Sequence, residues 1–126
     1  MLPAEQSEPD DLQLALDEMR DGVALWTPEG RLLVCNRALS DIFRAPPGLI
    51  RPGMTRLEMM TFFAERGDYG PTDNPAGKAR ELSDRFGSGD ITELDRTLPD
   101  GRRVRAVARL LDDRRSLVTY RELDGP

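Results

Sequence analysis

The spacing of apolar residues predicts a helix followed by a β-hairpin at the start of the chain. In "DDLQLALDEMRDG", Leu12, Leu16 and Met19 recur at the spacing of one helical face, and Leu14 lies off that stripe. The next two apolar runs, "GVALWT" and "RLLVC", flank the turn residues "PEG". Short apolar runs on either side of a turn are typical of two antiparallel strands, so residues 22–35 are predicted to form a hairpin.

Three short helices are predicted in the middle of the chain, each from a local signal. Asn36 is a good N-cap for "RALSDIF". Thr55 and Glu58 have the spacing of a capping box, which predicts a helix over "RLEMMTFFAER" that ends at Gly67. The segment "AGKARELSDRFGSG" has a weaker apolar face and predicts a third helix. The prolines between the first two helices prevent them from joining.

From Asp90 onward the pattern alternates with the period of a β-strand. The segments "ITELDRTL", "RRVRAVARLL" and "SLVTYREL" predict three strands, joined by turns at "PDG" and "DD". Helices and strands are therefore segregated along the chain. This order is typical of an α+β fold in which helices cover one face of an antiparallel sheet.

Length and composition indicate one small domain. The chain has 126 residues, a formal net charge of −5, one cysteine and no histidine. A single cysteine excludes an internal disulfide and fits a reducing compartment. The sequence has neither a signal-peptide pattern nor an apolar run of membrane-spanning length, so we expect a cytoplasmic location. We predict a disordered leader at residues 1–10, a single domain at 11–124 and a tail at 125–126.

The arginine-rich end of the chain does not indicate nucleic-acid binding. Residues 90–124 contain eight arginines and eight acids, so this region has no net charge. Tyr120 is its only aromatic residue, whereas nucleic-acid surfaces combine excess basic charge with stacking side chains. We expect a solvated sheet face on which Glu93 and Asp95 pair across strands with Arg103 and Arg105.

Two long stretches resemble the PAS domain family. The first, "LDEMRDGVALWTPEGRLLVCNRALSDIF", is similar to the family's succession of an Asp-Gly, a strand, an acid-Gly turn, a strand and an Asn that opens a helix. The second, "TLPDGRRVRAVARLLDDRRSLVTYREL", is similar to its closing hairpin and last strand. "ERGDYG" is similar to a subtype common in bacterial histidine kinases and diguanylate cyclases. The resemblance spans about residues 12–124.

The resemblance implies a fold, a role and an expectation about cofactors. The fold is a five-stranded antiparallel sheet in the order 2-1-5-4-3, with short helices over one face and an N-terminal flanking helix. The role is sensory or regulatory, in a protein with an attached output domain. No cofactor is expected: the absence of histidine excludes haem ligation through that residue, and Cys35 precedes Asn36 instead of lying in the "Asn-Cys-Arg" box of the family's flavin photosensors. An unknown small ligand stays an open alternative.

Three groups of residues are candidate sites. An apolar cluster lines a ligand cavity between sheet and helices or simply fills the core: Leu39, Phe43, Met59, Phe62 and Phe63. The candidate dimer interface consists of Leu12, Leu14, Leu16, Met19 and Trp26. Within it, Leu12, Leu16 and Met19 are expected to cover the chain's own sheet, while Leu14 and Trp26 meet the second subunit. The candidate signal output is Glu122, Leu123 and Asp124, where the family usually has an Asp, an aliphatic residue and a Thr.

No catalytic residue and no metal ligand set is expected. One cysteine and no histidine cannot supply zinc-ligand spacing, and the carboxylates follow the spacing of helix surfaces and turns. The expected function is therefore that of a non-catalytic PAS domain of a bacterial signal-transduction protein, which acts by homodimerisation and conformational transmission. A parent histidine kinase or diguanylate cyclase would hold any enzymatic activity. The alternatives are a sensor with a small ligand between sheet and helices, and a standalone protein-interaction adaptor.

Overall fold

The order of helices and strands agrees with the sequence pattern. A computed structural model describes the backbone of residues 4–123 and the side chains of residues 11–123. Within that part of the chain the elements are α1 (Ala4–Asp17), β1 (Gly22–Trp26), β2 (Leu32–Cys35), α2 (Arg37–Phe43), α3 (Arg56–Arg66), α4 (Pro75–Ser88), β3 (Glu93–Thr97), β4 (Arg103–Leu110) and β5 (Ser116–Leu123).

The strands form one antiparallel sheet in the order β2-β1-β5-β4-β3, which confirms the topology that the family resemblance implies. The first and last strands are neighbours at the centre of the sheet, where Gly22 pairs with Tyr120 and Trp26 with Ser116. Backbone hydrogen bonds therefore join the first strand of the chain to the last.

Local capping explains where the helices begin and end. Asn36 caps α2, and Thr55 and Glu58 form the predicted capping box at the start of α3. Helix α4 has an additional N-cap, Asn74, whose side chain accepts a hydrogen bond from the backbone of Gly77. The predicted end of α3 at Gly67 is confirmed, because this residue adopts the left-handed conformation with φ 94°.

The core lies between the sheet and helices α2, α3 and α4. On β4 the buried residues alternate with exposed ones, so Val104, Ala106 and Ala108 face the helices. The ring of Phe43 on α2 packs against Phe63 on α3, with ring centroids 4.6 Å apart. One face of the sheet is thereby covered by helices, as the sequence predicts.

Helix α1 begins earlier than the sequence suggested. It begins at Ala4, so residues 4–10, predicted as a disordered leader, have a helical backbone. The prediction gave most weight to Pro3 and Pro9, which disfavour a continuing helix. The segment nevertheless contains alanine, glutamate and glutamine, which have high helix propensity. Residues 1–3 and the predicted tail at 125–126 lie outside the described residues.

Candidate functional site

Asn36 connects α1 to the centre of the fold with four hydrogen bonds. Its side-chain oxygen accepts from the backbone N–H groups of Val23 at 2.9 Å and Leu39 at 3.3 Å. Its amide nitrogen donates to the carbonyl oxygens of Leu16 at 2.8 Å and Asp21 at 3.0 Å. Only 4% of the residue is exposed. The last turn of α1, the start of β1 and the start of α2 therefore share one buried amide.

Two further hydrogen bonds attach α1 to the junction between β2 and α2. The amide nitrogen of Gln13 donates to the carbonyl of Cys35 at 3.0 Å. A carboxylate oxygen of Asp17 accepts from the backbone N–H of Arg37 at 2.8 Å. Burial raises the pKa of the Cys35 thiol, and the nearby Asp17 carboxylate raises it further. Helix α1 is thus fixed at its C-terminal end.

The leucines in the described half of α1, and Met19 just after its end, are largely uncovered by the rest of the described chain. Leu12 is 65% exposed, Leu14 61% and Met19 43%, whereas Leu16 is half-buried. The expectation that Leu12 and Met19 cover the chain's own sheet is wrong, because the hydrogen bonds of α1 hold it beside the β2–α2 junction instead. All of these residues stay candidates for a dimer interface.

The side of the sheet opposite the helices carries a second apolar surface, here called the outer face. It is centred on Leu25, which is paired with Leu117 on β5 and with Val34 on β2. On β4, Val107 lies on the same face opposite Thr119 and is 39% exposed. Cross-strand partners point to the same side of a sheet, so these residues form a continuous strip. Towards β3 the outer face becomes charged.

The prediction that Trp26 contacts a second subunit is wrong. Trp26 is 0% exposed and lies on the helix-covered side of β1 together with Ala24. Successive side chains of a strand point to opposite faces, and Leu25 takes the outer one. The indole is therefore part of the core, and its Nε1 has no hydrogen-bond partner among the described residues.

The five residues predicted to line a ligand cavity are packed against one another or their neighbours. Leu39, Met59 and Phe63 are at most 1% exposed, and the edge of the Tyr120 ring meets Phe43 at a centroid distance of 5.4 Å. Phe62 is half-buried and packs against this core. In this arrangement the side chains fill the space themselves. A cavity among them stays a prediction, and the rings would have to move apart to form it.

A buried arginine that the sequence analysis missed lies against Trp26. Arg56 is 6% exposed, and its Nε donates to the hydroxyl of Ser83 at 3.3 Å. Its Nη1 has no partner within the described part of the chain, and burial lowers the pKa of its guanidinium. Gly30 and Gly87 leave room for it, since a Cβ on Gly87 would lie 2.5 Å from Nη2. The available signal was a cation at the first position of a helix, which the helix dipole disfavours.

A cleft between β3 and α4 is the second feature that the sequence did not reveal. It has a volume of about 300 Å³. The lining combines charged, aromatic and aliphatic residues: Asp68, Tyr69, Gly70, Lys78, Leu82, Leu94, Asp95, Arg96 and Thr97. The guanidinium of Arg96 lies over the rings of Phe43 and Tyr69, at 4.3 and 4.6 Å from their centroids. Burial raises the pKa of Tyr69, and the neighbouring Arg96 opposes that rise.

Two cross-strand interactions bear on the predicted surface and output residues. The expected pair of Asp95 and Arg105 is present, with two N–O distances of 2.8 and 2.9 Å. At the end of β5, Glu122 accepts from Arg102 at 3.0 Å, and Leu123 is paired with Arg103 on β4. The remaining candidate output residue, Asp124, lies outside the described residues.

Two classes of site are absent from the described residues. No group of three or more His, Cys, Asp or Glu side chains in this range is arranged to hold a metal ion. No described helix has the length and hydropathy required to cross a bilayer.

Comparison with known proteins identifies the family. A family model described as the PAS fold matches residues 16–123. Among curated proteins, the chain is similar to the non-motile and phage-resistance protein of Caulobacter vibrioides, with 36% identity over 53 residues. That match covers 42% of this chain and 6% of the relative, so it concerns a small part of a much longer protein.

Solved structures with a similar fold include a PAS domain and a domain of a sensor histidine kinase. The PAS domain of BvgS from Bordetella pertussis has a TM-score of 0.58 at 17% identity, covering 94% of this chain and 88% of that one. A domain of a sensory box sensor histidine kinase/response regulator from Geobacter sulfurreducens has a TM-score of 0.54 at 18% identity, covering 93% and 96%. At such identities the likeness concerns the fold alone. With the family model matching most of its length, the chain belongs to the PAS family, whose fold is that of sensory domains in signal-transduction proteins.

Proposed function

We propose that this chain is a non-catalytic regulatory domain of a bacterial signalling protein, and that it acts as a homodimer formed through α1. The observation that carries the proposal is the exposure of Leu12 and Leu14 on α1, and of Met19 just after it, because this helix is hydrogen-bonded to the rest of the domain. Apolar side chains that are exposed together on one element are typical of an interaction surface. A second copy offers the same surface, so the contact can be symmetric.

The outer face provides the area that a short helix alone lacks. Leu25, Val34 and Leu117 form an apolar strip in which each residue is partly exposed. In the proposed dimer, the α1 helices of both copies pack together and cover part of these strips. Each CH₂ group that becomes buried contributes about 0.8 kcal/mol, which offsets part of the roughly 4–15 kcal/mol that association costs.

Asn36 links the proposed dimer interface on α1 to the sheet by hydrogen bonds. A shift of α1 changes the hydrogen bond between Asn36 and Leu16, and the same amide holds the backbones of Val23 and Asp21 at the start of β1. Strand β1 is paired along its length with β5, which contains the candidate output residues Glu122 and Leu123. A change at the dimer interface would therefore reach the end of β5 through one buried side chain and one strand pair.

The dimer surface is tested by a pair of leucine variants in sedimentation velocity. We expect Leu14→Asp to convert a dimer to a monomer, because it places a charge in the proposed interface. Leu110→Asp is the matched control: Leu110 is 37% exposed but lies at the end of β4, away from α1 and paired with Ser116. Equal effects of both substitutions, or no effect of Leu14→Asp on an existing dimer, would contradict the proposal.

A second candidate function is that of a small-ligand sensor. It is favoured by the cleft of about 300 Å³ between β3 and α4, because this cleft joins polar groups to apolar side chains. A ligand there would contact both the sheet and a helix. Binding could then change the position of α4 relative to β3, and this function does not depend on dimerisation.

A further inference from the structure

The acidic residues that line the cleft between β3 and α4 are already neutralised. Asp68, whose side chain is fully buried, receives two hydrogen bonds from Arg66 at 2.9 and 2.6 Å. Asp95 receives two from Arg105, and these hydrogen bonds lower the pKa of its carboxyl group. In both cases the partner arginine is outside the lining. Neither carboxylate therefore leaves an unbalanced negative charge in the cleft.

The two cations of the lining lack comparable partners. Arg96 has no carboxylate within ion-pair distance among residues 11–123, and it is held by the faces of Phe43, Phe63 and Tyr69. A guanidinium has several in-plane N–H donors, so one that stacks on rings and also meets the Tyr69 hydroxyl keeps donors available for a planar anion. Lys78 reaches only the exposed carboxylate of Glu81, at 3.9 Å. The cleft consequently has positive charge available for a ligand.

The remaining lining and the size of the cleft restrict the class of anion. Leu82 and Leu94 contribute an apolar wall, which suits a hydrocarbon or aromatic body. A volume of about 300 Å³ is at the lower end for ligand pockets, so the ligand is small. One guanidinium and one ammonium group match the two oxygens of a carboxylate.

We propose that this cleft binds a small carboxylic acid with a compact apolar body, its carboxylate lying between Arg96 and Lys78. The inference rests on the second candidate function, ligand sensing, and names the class of ligand. It requires no dimer. The binding contacts would come from β3 and α4, which are joined by a short loop after the end of α4.

The sequence offers a direct probe, because Lys78 is its only lysine. Reductive methylation with ¹³C-formaldehyde keeps the charge of the amine and labels Lys78 together with the N-terminus. We would titrate the labelled full chain at constant ionic strength with hexanoate and benzoate, and with hexanamide and benzamide as uncharged controls. The expected result is a saturable shift of the Lys78 signal with at least one acid and none with its amide.

Variants separate the contribution of the cleft from general charge. Arg96→Gln is expected to weaken acid binding about tenfold, the effect of one charge-assisted hydrogen bond. Arg80→Gln, on the exposed side of α4, is the control and should leave binding unchanged. Because Arg96 packs on core rings, Lys78→Gln provides a second test at a side chain that is 38% exposed, with binding followed by calorimetry.

The titrations distinguish the carboxylic-acid inference from the more general ligand-sensor function. Acid-selective binding that depends on Arg96 or Lys78 supports the inference. Equal binding of acid and amide would overturn it while leaving a ligand sensor intact. No saturable shift with the acids would overturn the inference, and no saturable shift with the amides either would also overturn the sensor function, while the dimer would still be judged by its own experiment.

Discussion

The guanidinium of Arg56 lies 5.7 Å from the centre of the Trp26 ring, and each of these buried side chains has a nitrogen without a hydrogen-bond partner among the described residues. A guanidinium over an aromatic face gains some cation–π energy. Burial of a charge without a carboxylate nevertheless costs more than this contact returns. The pair is thus a locally unfavourable element inside an otherwise well-packed core.

Replacing Arg56 with an apolar residue of similar length is expected to stabilise the domain. Arg56→Met removes the buried charge and keeps the packing against Trp26, so the free energy of unfolding should rise by about 1–4 kcal/mol. Urea unfolding followed by the fluorescence of Trp26, the only tryptophan, measures this change. Arg80→Met, on the exposed side of α4, should change stability by less than about 0.5 kcal/mol. A loss of stability in Arg56→Met would contradict this account of the site.

The shared amide of Asn36 predicts an unusual response to an isosteric substitution. Asn36→Asp replaces two N–H donors with an oxygen that faces the carbonyls of Leu16 and Asp21, and should destabilise the domain by about 2–4 kcal/mol at neutral pH. The same change at Asn74, an exposed N-cap that only accepts a hydrogen bond, should be nearly neutral because aspartate caps helices equally well.

Acidification provides an internal check on this prediction. In the Asn36→Asp variant, the fold should disfavour the ionised form of the introduced carboxyl group and so raise its pKa above the unfolded value. The contribution of this group to stability is then greatest below the unfolded pKa of about 3.9 and is lost as pH rises through the folded value. The deficit relative to wild type should therefore shrink on acidification. A deficit that is constant between acid and neutral pH would argue against the assigned hydrogen bonds.

The environment of Cys35 predicts low thiol reactivity. Burial raises its pKa above the ordinary 9.0, and the Asp17 carboxylate adds to the shift, so little thiolate is present near neutral pH. Alkylation by iodoacetamide at pH about 8 should be slower in the folded chain than in urea. Asp17→Asn should accelerate the folded reaction and Asp84→Asn, on α4, should not. Equal rates in the folded and unfolded chain would disprove the assignment.

Tyr120 predicts a loss of stability in alkali. Burial raises the pKa of its phenol well above the ordinary 10.0, so its contribution is complete below about pH 10 and is lost progressively at higher pH. Between pH about 9 and 11.5, wild type should lose more free energy of unfolding than Tyr120→Phe, in which Tyr69 is the one remaining tyrosine. Parallel pH profiles of the two proteins would contradict a buried phenol at this position.

The order of elements and most helix boundaries could be predicted because they depend on local signals. Asn36, the Thr55–Glu58 pair and Gly67 act within a few residues of their own position, so their roles follow from the sequence around them. The order of the strands does not follow from local pattern. It came from the resemblance to a family, because pairing of β1 with β5 joins residues about a hundred positions apart.

The errors have physical causes. Strand β1, "GVALW", is apolar at nearly every position, so its pattern does not show which side of the sheet Trp26 faces. The cleft was missed because its residues come from the loop after α3, from α4 and from β3, and only the fold brings them together. Arg96 was grouped with the surface arginines because the alternating pattern shows only which residues of a strand share a face. It does not show that Phe63 of α3 and Tyr69 of the following loop pack against the Arg96 side chain.

Homodimerisation through α1 can be tested by native mass spectrometry of the tag-free chain at low micromolar concentration. We expect a species at twice the subunit mass that is absent in Leu14→Asp and present in Leu110→Asp. A monomer alone, across a range of concentrations, would contradict homodimerisation through α1. In that case the exposed leucines of α1 would instead belong to a contact with a different protein, as expected for an interaction adaptor.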